Sequence, residues 1–293
     1  MPGPTAALSA RGERLHLQHG PIDLVIGADA ESPALRSLAF GAARRRFEPL
    51  LQELVAELPL LRSASGPKPS PVTGAVAQRM ARAVTPHAGR VFVTPMAAVA
   101  GAVADEILAA MLDATPLRRA YVNNGGDIAL HLADGQRFRM AIASLDGTAL
   151  GRIDLAAGQA VGGLATSGLG GRSLTRGIAR SVTVLADTAA AADAAATLIA
   201  NAVDLPGHPA IQRCPARQLV PESDLGDLPV VVGCGPLTAP EVELALASGA
   251  DTAQQMLDCG LIRAAILFLR GRSRLVCPAD LALTISERTL EDA

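Results

Sequence analysis

The 293-residue sequence predicts an α+β fold. Strand-like segments arrive in runs rather than alternating with helices, which argues against a doubly wound α/β sheet. Hydrophobic residues make up 49% and charged residues 18%, the balance of a globular chain. Aromatics are only 2%, with no tryptophan and Tyr121 as the one tyrosine, so the core has to be built from Ala, Leu, Val and Ile. The length allows two domains or one large one.

Residues 13–28 alternate apolar and polar with a turn at His19-Gly20-Pro21, which predicts an opening hairpin. Ser32 followed by Pro33 has the form of a helix N-cap and first helical residue. Leu35, Leu38, Ala42, Phe47, Leu51, Leu54 and Leu58 carry a long helix, which Pro49 should kink or split. A flexible loop is expected at 62–71 (RSASGPKPSP), then a helix from Val72 to about Val84 and a short strand at Arg90–Thr94. Thr94-Pro95 repeats the cap-and-proline signal before an apolar helix rich in small residues. Strands are expected at 119–123, 127–132, 136–143, 149–155 and 179–186, joined by Gly/Asp/Asn turns. Asp187-Thr188 should cap an alanine-rich helix to about Val203. A strand at 229–233, one or two helices over 239–259 closing at Gly260, and a hairpin of Ile262–Leu269 with Arg274–Val276 complete the chain.

Several function classes are excluded. A net charge of −2 supplies no general basic field for nucleic acid, and the scarcity of aromatics removes base-stacking platforms. Lys68, in a Pro/Ser/Gly stretch, is the one lysine; a P-loop needs Gly-Lys-Ser/Thr, and Schiff-base chemistry needs a buried lysine. The four cysteines contain no CxxC, and the five histidines show neither HxxxH nor HExxH. Ser167 is not in a GxSxG context. Apolar stretches such as Met96–Ala104 fall short of the roughly 18 residues of a membrane span. The start has no signal-peptide pattern, so a soluble cytoplasmic protein is the expectation.

Three segments can carry chemistry. In Val122-Asn123-Asn124-Gly125-Gly126-Asp127 the glycines permit positive φ and close approach of a ligand, while an ordinary Asn-Gly hairpin turn explains the same residues. In Gly162–Arg172 successive backbone amides can form an anion nest beside Thr166, Ser167, Gly168 and Arg172, with Arg176 nearby; a surface loop is the alternative. Asp193 and Thr197, four apart on an alanine-rich helix, offer hard oxygen ligands to Mg²⁺, or else are a solvent-facing aspartate and a threonine bonded to its own helix.

In order, VNNGGD (122–127), LATSG (164–168) and ADAAAT (192–197) resemble the V-N-x-G-G-D, A-T-S-G and A-D-A-L-A-T elements of the ApbE superfamily, the FAD:protein FMN transferases. MAAVAGAVAD (96–105) is similar to the family's G-A-I-A-K-G-Y-A-V-D segment, with Gly101 and Asp105 matching. The resemblance implies a T-fold-like core with mixed and antiparallel sheets flanked by helices, a single unit over 1–293 in which 206–293 is not matched. It implies Mg²⁺ on Asp193, Thr197 and a backbone carbonyl near Val99–Ala100. It implies FAD or FMN, or a related phosphorylated nucleotide, against Asn123, Gly125, Gly126, Asp127, Thr166, Ser167 and Gly168. It implies transfer or hydrolysis at the pyrophosphate, with a flavoprotein partner; a homodimer is open. Ala100 stands at the family's lysine position, the H-I-I-D-P segment is replaced by a histidine-free stretch, GLGGRSLTRGIARS, and no secretory leader typical of the transferases is seen, so the chain looks like a cytoplasmic subgroup of the family. A protein that binds flavin or nucleotide without catalysis, or a metabolic enzyme using the cleft for another anionic molecule, fits these departures as well.

Overall fold

A computed structural model describes residues 3–143, 149–171, 173–279, 281 and 283–285. In chain order it contains β1 (Thr5–Leu8), β2 (Arg14–His19), β3 (Ile22–Asp29), α1 (Pro33–Ala56), α2 (Leu58–Leu61), α3 (Ala75–Val84), α4 (Val99–Ala114), β4 (Arg119–Asn124), β5 (Asp127–Leu132), β6 (Arg137–Ala143), β7 (Ala149–Ala156), β8 (Gly163–Ser167), β9 (Ser181–Ala186), α5 (Ala189–Ala202), β10 (Ile211–Pro215), α6 (Ala216–Leu219), β11 (Pro229–Cys234), α7 (Ala239–Asp258), β12 (Ala264–Leu269), β13 (Arg272–Val276) and β14 (Leu283–Ile285). The fold is α+β, with antiparallel sheets and flanking helices. The chain divides into two compact units. One is Met1–Arg137, Ala156–Ala165 and Ala186–Ala194; the other is Phe138–Leu155, Thr166–Leu185 and Ala195–Ala293.

The first unit is built on strands β1 to β5 in consecutive antiparallel order, with β8 beside β5 in the register Ile128↔Leu164 and Ala129↔Gly163. Leu15, Leu17 and His19 of β2 alternate inward while Arg14, His16 and Gln18 stay exposed, so this strand has one solvated face. Helix α1 opens on Ser32, whose Oγ accepts the Leu35 amide at 3.3 Å, with Pro33 next. It runs unbroken through Pro49, contrary to the expected split. Phe47, Leu50 and Leu54 are buried on both sides of the proline and hold both halves of the helix to the core. The expected strand at Arg90–Thr94 does not form. Val91 makes one isolated bridge, and Val91 and Phe92 remain exposed, with no strand paired to them among the described residues.

Helix α4 packs on α1, α3 and strands β4 and β5. The stretch Pro95–Ala114 is long and apolar enough to cross a membrane by length and composition alone, and half of it is buried inside the structure. It also carries Glu106, paired with Arg46 and Arg79 at 2.8 Å each, as suits a helix of a protein core.

In the second unit β12 pairs with β9 and β13, and α7 packs on β12 and β13. A capping box, Thr238 with Glu241, starts α7. Strands β10 and β11 form a separate antiparallel pair with a bulge at Gln212/Arg213, and β7 lies between β14 and β6. Gly177 lies against the last turn of α5, where a Cβ would fall 2.0 Å from the Ala200 carbonyl oxygen.

Candidate functional site

The β4–β5 hairpin turns on Gly125 and Gly126, at φ 66° and 113°, with Asn124 opposite Asp127. Positive φ at two successive positions explains both glycines. Asn123 Oδ1 accepts the Gly126 amide at 2.9 Å, so Asn123 closes the turn. Alternation along β4 sends Ala120, Val122 and Asn124 inward. Asn124, 6% exposed, donates its Nδ2 to the Ala100 carbonyl oxygen at 3.1 Å. A turn residue of the first motif thus reaches the first turn of α4.

That first turn lacks a capping side chain from Ala98. Its amides go to a distant carboxylate instead. The Gly101 amide donates to Asp193 Oδ2 at 3.0 Å, and the Ala100 amide donates to the same carboxylate. The arrangement is reciprocal. Asp105, one turn beyond Gly101 on α4, accepts the Ala189 and Ala190 amides at 3.0 and 2.9 Å, at the start of α5. Thr188 Oγ1 takes the Ala191 amide at 3.1 Å. The two helix starts meet so closely that a Cβ on Gly101 would lie 2.2 Å from the Ala189 carbonyl oxygen, and one on Gly163 would lie 2.3 Å from the Ala189 nitrogen.

Desolvation drives the Asp193 carboxyl well above the ordinary carboxylate range, and the charge of Asp127 pushes it further. The Gly101 and Ala100 amides oppose this rise, and Asp105 adds to it. Desolvation likewise pushes Asp105 up to about 6, against the pull of the Ala190 and Ala189 amides and of Arg79. Asp193 thus faces the charges of Asp127 and Asp105 while its carboxylate accepts the amides at the start of α4.

The remaining sequence-predicted residues distribute as follows. Val99 begins α4 and is half-buried. Thr197 lies on α5 in the second unit and is half-buried. Thr166 is exposed, with its hydroxyl 2.9 Å from that of Thr183, and Ser167 is half-buried. The stretch read as an amide nest is otherwise employed. Gly163–Ser167 is strand β8, and the amides of Leu169, Gly170 and Gly171 donate to Ala179, Arg180 and Gly168 carbonyls. Gly168, at φ 138°, sits where a Cβ would strike the Arg180 and Ala179 carbonyls at 2.8 and 2.9 Å. Arg172 lies outside the described residues. The Arg176 amide is held by Asn201 Oδ1 at 2.9 Å.

Among the described residues no three His, Cys, Asp or Glu side chains form a metal-holding group. Magnesium needs fewer, because it keeps several waters and takes one or two carboxylates together with substrate phosphates. The Asp193 carboxylate keeps acceptor capacity beyond its two amide bonds. The Asp193 and Asp127 carboxylates are oxygen ligands of the kind that Mg²⁺ takes. Asn124 and Asp105 are the residues that sequence reasoning did not place in the site. The inward phase of β4 marks Asn124, and an aspartate in an otherwise apolar helix marks Asp105 as needing a partner.

A family model described as AbpE bacteria matches residues 6–275. The UPF0280 protein MK0206 of Methanopyrus kandleri is 35% identical over 181 residues, 61% of this chain and 69% of that protein. A UPF0280 protein of Methanothrix thermoacetophila is 36% identical over 156 residues, 52% of this chain and 63% of the relative. Among solved structures, the flavin transferase ApbE from Vibrio cholerae aligns over 94% of this chain and 98% of its own, at 12% identity and a TM-score of 0.41. A point mutant of that transferase aligns at 14% identity and 0.38. Likeness at that distance bears on nothing further.

Proposed function

The chain belongs to the AbpE bacteria family, and from that premise we propose that it binds a flavin such as FAD or FMN, or a related phosphorylated nucleotide, together with Mg²⁺, and transfers or hydrolyses at the pyrophosphate. Four motifs in register with the ApbE pattern support the reading: 96–105, 122–127, 164–168 and 192–197. The observation that carries it is Asp193, a desolvated carboxylate beside the charge of Asp127 at the amide-lined start of α4. A cation bound beside such a group would favour its ionised form and send its proton to solvent.

In this reading Asp193 and Thr197 hold the ion, with a main-chain carbonyl of Val99 or Ala100. Bound Mg²⁺ would neutralise the charge of the pyrophosphate oxygens. Asn124 orients the Ala100 carbonyl through its 3.1 Å hydrogen bond. Gly125 and Gly126, with no side chain to obstruct, let a ligand approach the hairpin backbone. Asp127 sets the local charge. Thr166, Ser167, Gly168 and Arg172 are the further ligand residues that the motif resemblance implies.

A second reading, binding without turnover, is favoured by one observation: residues 168–181 contain no histidine to serve as a base. Titration with FAD, with and without Mg²⁺, followed by assay for AMP, separates the two. Mg²⁺-dependent binding with AMP release supports the enzyme. Binding without AMP supports the carrier. No binding in either condition removes both.

A further inference from the structure

We propose that Asp105 is a positioning residue that holds Asp193 in place, through an exchange of carboxylates between the starts of α4 and α5. Each helix lends an aspartate to the other. Asp105 of α4 takes two amides of α5, those of Ala189 and Ala190, and Asp193 of α5 takes the Gly101 and Ala100 amides of α4. Neither helix closes this contact alone. Ala98 offers α4 no side-chain cap, and Thr188 reaches one amide of α5. The Gly101 backbone lies directly on Ala189, so α5 cannot shift along α4 while both pairs of bonds stand. All of these groups belong to the first unit. Releasing Ala189 and Ala190 frees the end of α5, and Asp193 lies on the next turn of that helix. Asp105 therefore acts through Asp193 and does not itself meet the ligand. The inference rests on the proposed function where it concerns ligand affinity, and on geometry alone where it concerns Asp193.

The test is residue-resolved amide exchange on the full chain without ligand. Asp105→Ala should accelerate exchange not only at Ala189 and Ala190 but also at Gly101 and Ala100, by about 10-fold or more relative to the buried Leu50 amide in α1. Asp105→Asn keeps one acceptor oxygen and should give a smaller acceleration at the same four amides; it carries the test if the alanine variant does not fold. Glu57→Gln is the control. Glu57 caps α3 through the Thr73 and Gly74 amides, so its loss should loosen those amides and leave Gly101 unchanged. Faster exchange at Ala189 and Ala190 with Gly101 within about 2-fold of wild type would overturn the proposal. A second arm titrates FAD with Mg²⁺. Asp105→Asn should bind about 10-fold or more weaker than wild type, while Glu57→Gln matches wild type. Unchanged affinity in Asp105→Asn, where the wild type binds, also overturns it. A wild type that binds no FAD refutes the functional reading, and the exchange result then decides the positioning claim by itself.

Discussion

Gly101→Ala sets two effects of opposite sign against each other. Inside a helix, replacing glycine by alanine ordinarily stabilises by about 1 kcal/mol. Here the added Cβ would lie 2.2 Å from the Ala189 carbonyl oxygen, 2.4 Å from its carbon and 2.7 Å from the Ala190 nitrogen. These are backbone atoms at the start of α5 and cannot swing aside as a side chain could. Overpacking of this kind costs about 1–3 kcal/mol. Relief requires the helix starts to part, which breaks at least one charge-assisted bond to Asp105 or Asp193, worth about 1.5–3 kcal/mol. The steric and bonding losses outweigh propensity, and the net expectation is destabilisation by about 1.5–5 kcal/mol. Urea unfolding at neutral pH measures it from the midpoint at constant slope. Gly41→Ala in α1 is the matched control, because there a Cβ meets only the flexible end of Arg45, at 3.3 Å. Gly41→Ala should be neutral or stabilising by up to about 1 kcal/mol. A Gly101→Ala protein as stable as wild type would refute the close approach of the two helix starts.

Asp105 should impose a pH dependence on stability. The folded chain keeps its proton up to about 6, whereas the unfolded chain releases it near 3.8. The folded state binds the extra proton in that window, so stability falls as pH rises through it, by at most about 3 kcal/mol and less for the water access Asp105 retains. Urea midpoints measured from pH 4 to pH 7 should show this slope, and Asp105→Asn should flatten it. Asn124→Ala removes the donor to the Ala100 carbonyl and should cost about 1–3 kcal/mol in the same assay, whereas Asn123→Ala, on the outward face of β4, should lose only the bond to Gly126, about 0.5–1.5 kcal/mol. Asp193→Asn should weaken Mg²⁺-dependent binding of FAD by about 1.5–3 kcal/mol, read by calorimetry.

The α+β class and most element positions are legible in the sequence because they depend on local signals. The β2–β3 turn at Gly20, the Ser32-Pro33 start of α1, the Thr188 start of α5 and the end of α7 at Gly260 all follow from turn and cap chemistry. The misses share a cause, which is distance along the chain. Strand β8 reads as a loop because Gly162 and Gly163 look like flexibility. In the structure a Cβ on either residue would strike the backbone at Asp187 or Ala189, so these glycines serve close packing. The short strands β1, β10 and β14 have too few residues to show a period. Residues 90–94 carry a strand-like composition but meet no partner strand among the described residues. The site is legible in part. Asp193 and the Asn-Gly-Gly-Asp turn are visible as motifs, and their nearness to Gly101 and Asp105 is a long-range fact that no local spacing encodes. The inward face of Asn124 is legible as well, since it follows the alternation of Ala120 and Val122.

Paired calorimetric titrations of FAD into the wild type and Asp193→Asn, each in the presence of Mg²⁺ and again with the metal chelated, address the central claim most directly. The account predicts binding to the wild type that depends on Mg²⁺ and is weakened by the substitution. Equal affinity across all four titrations, or no heat of binding in any of them, would contradict it.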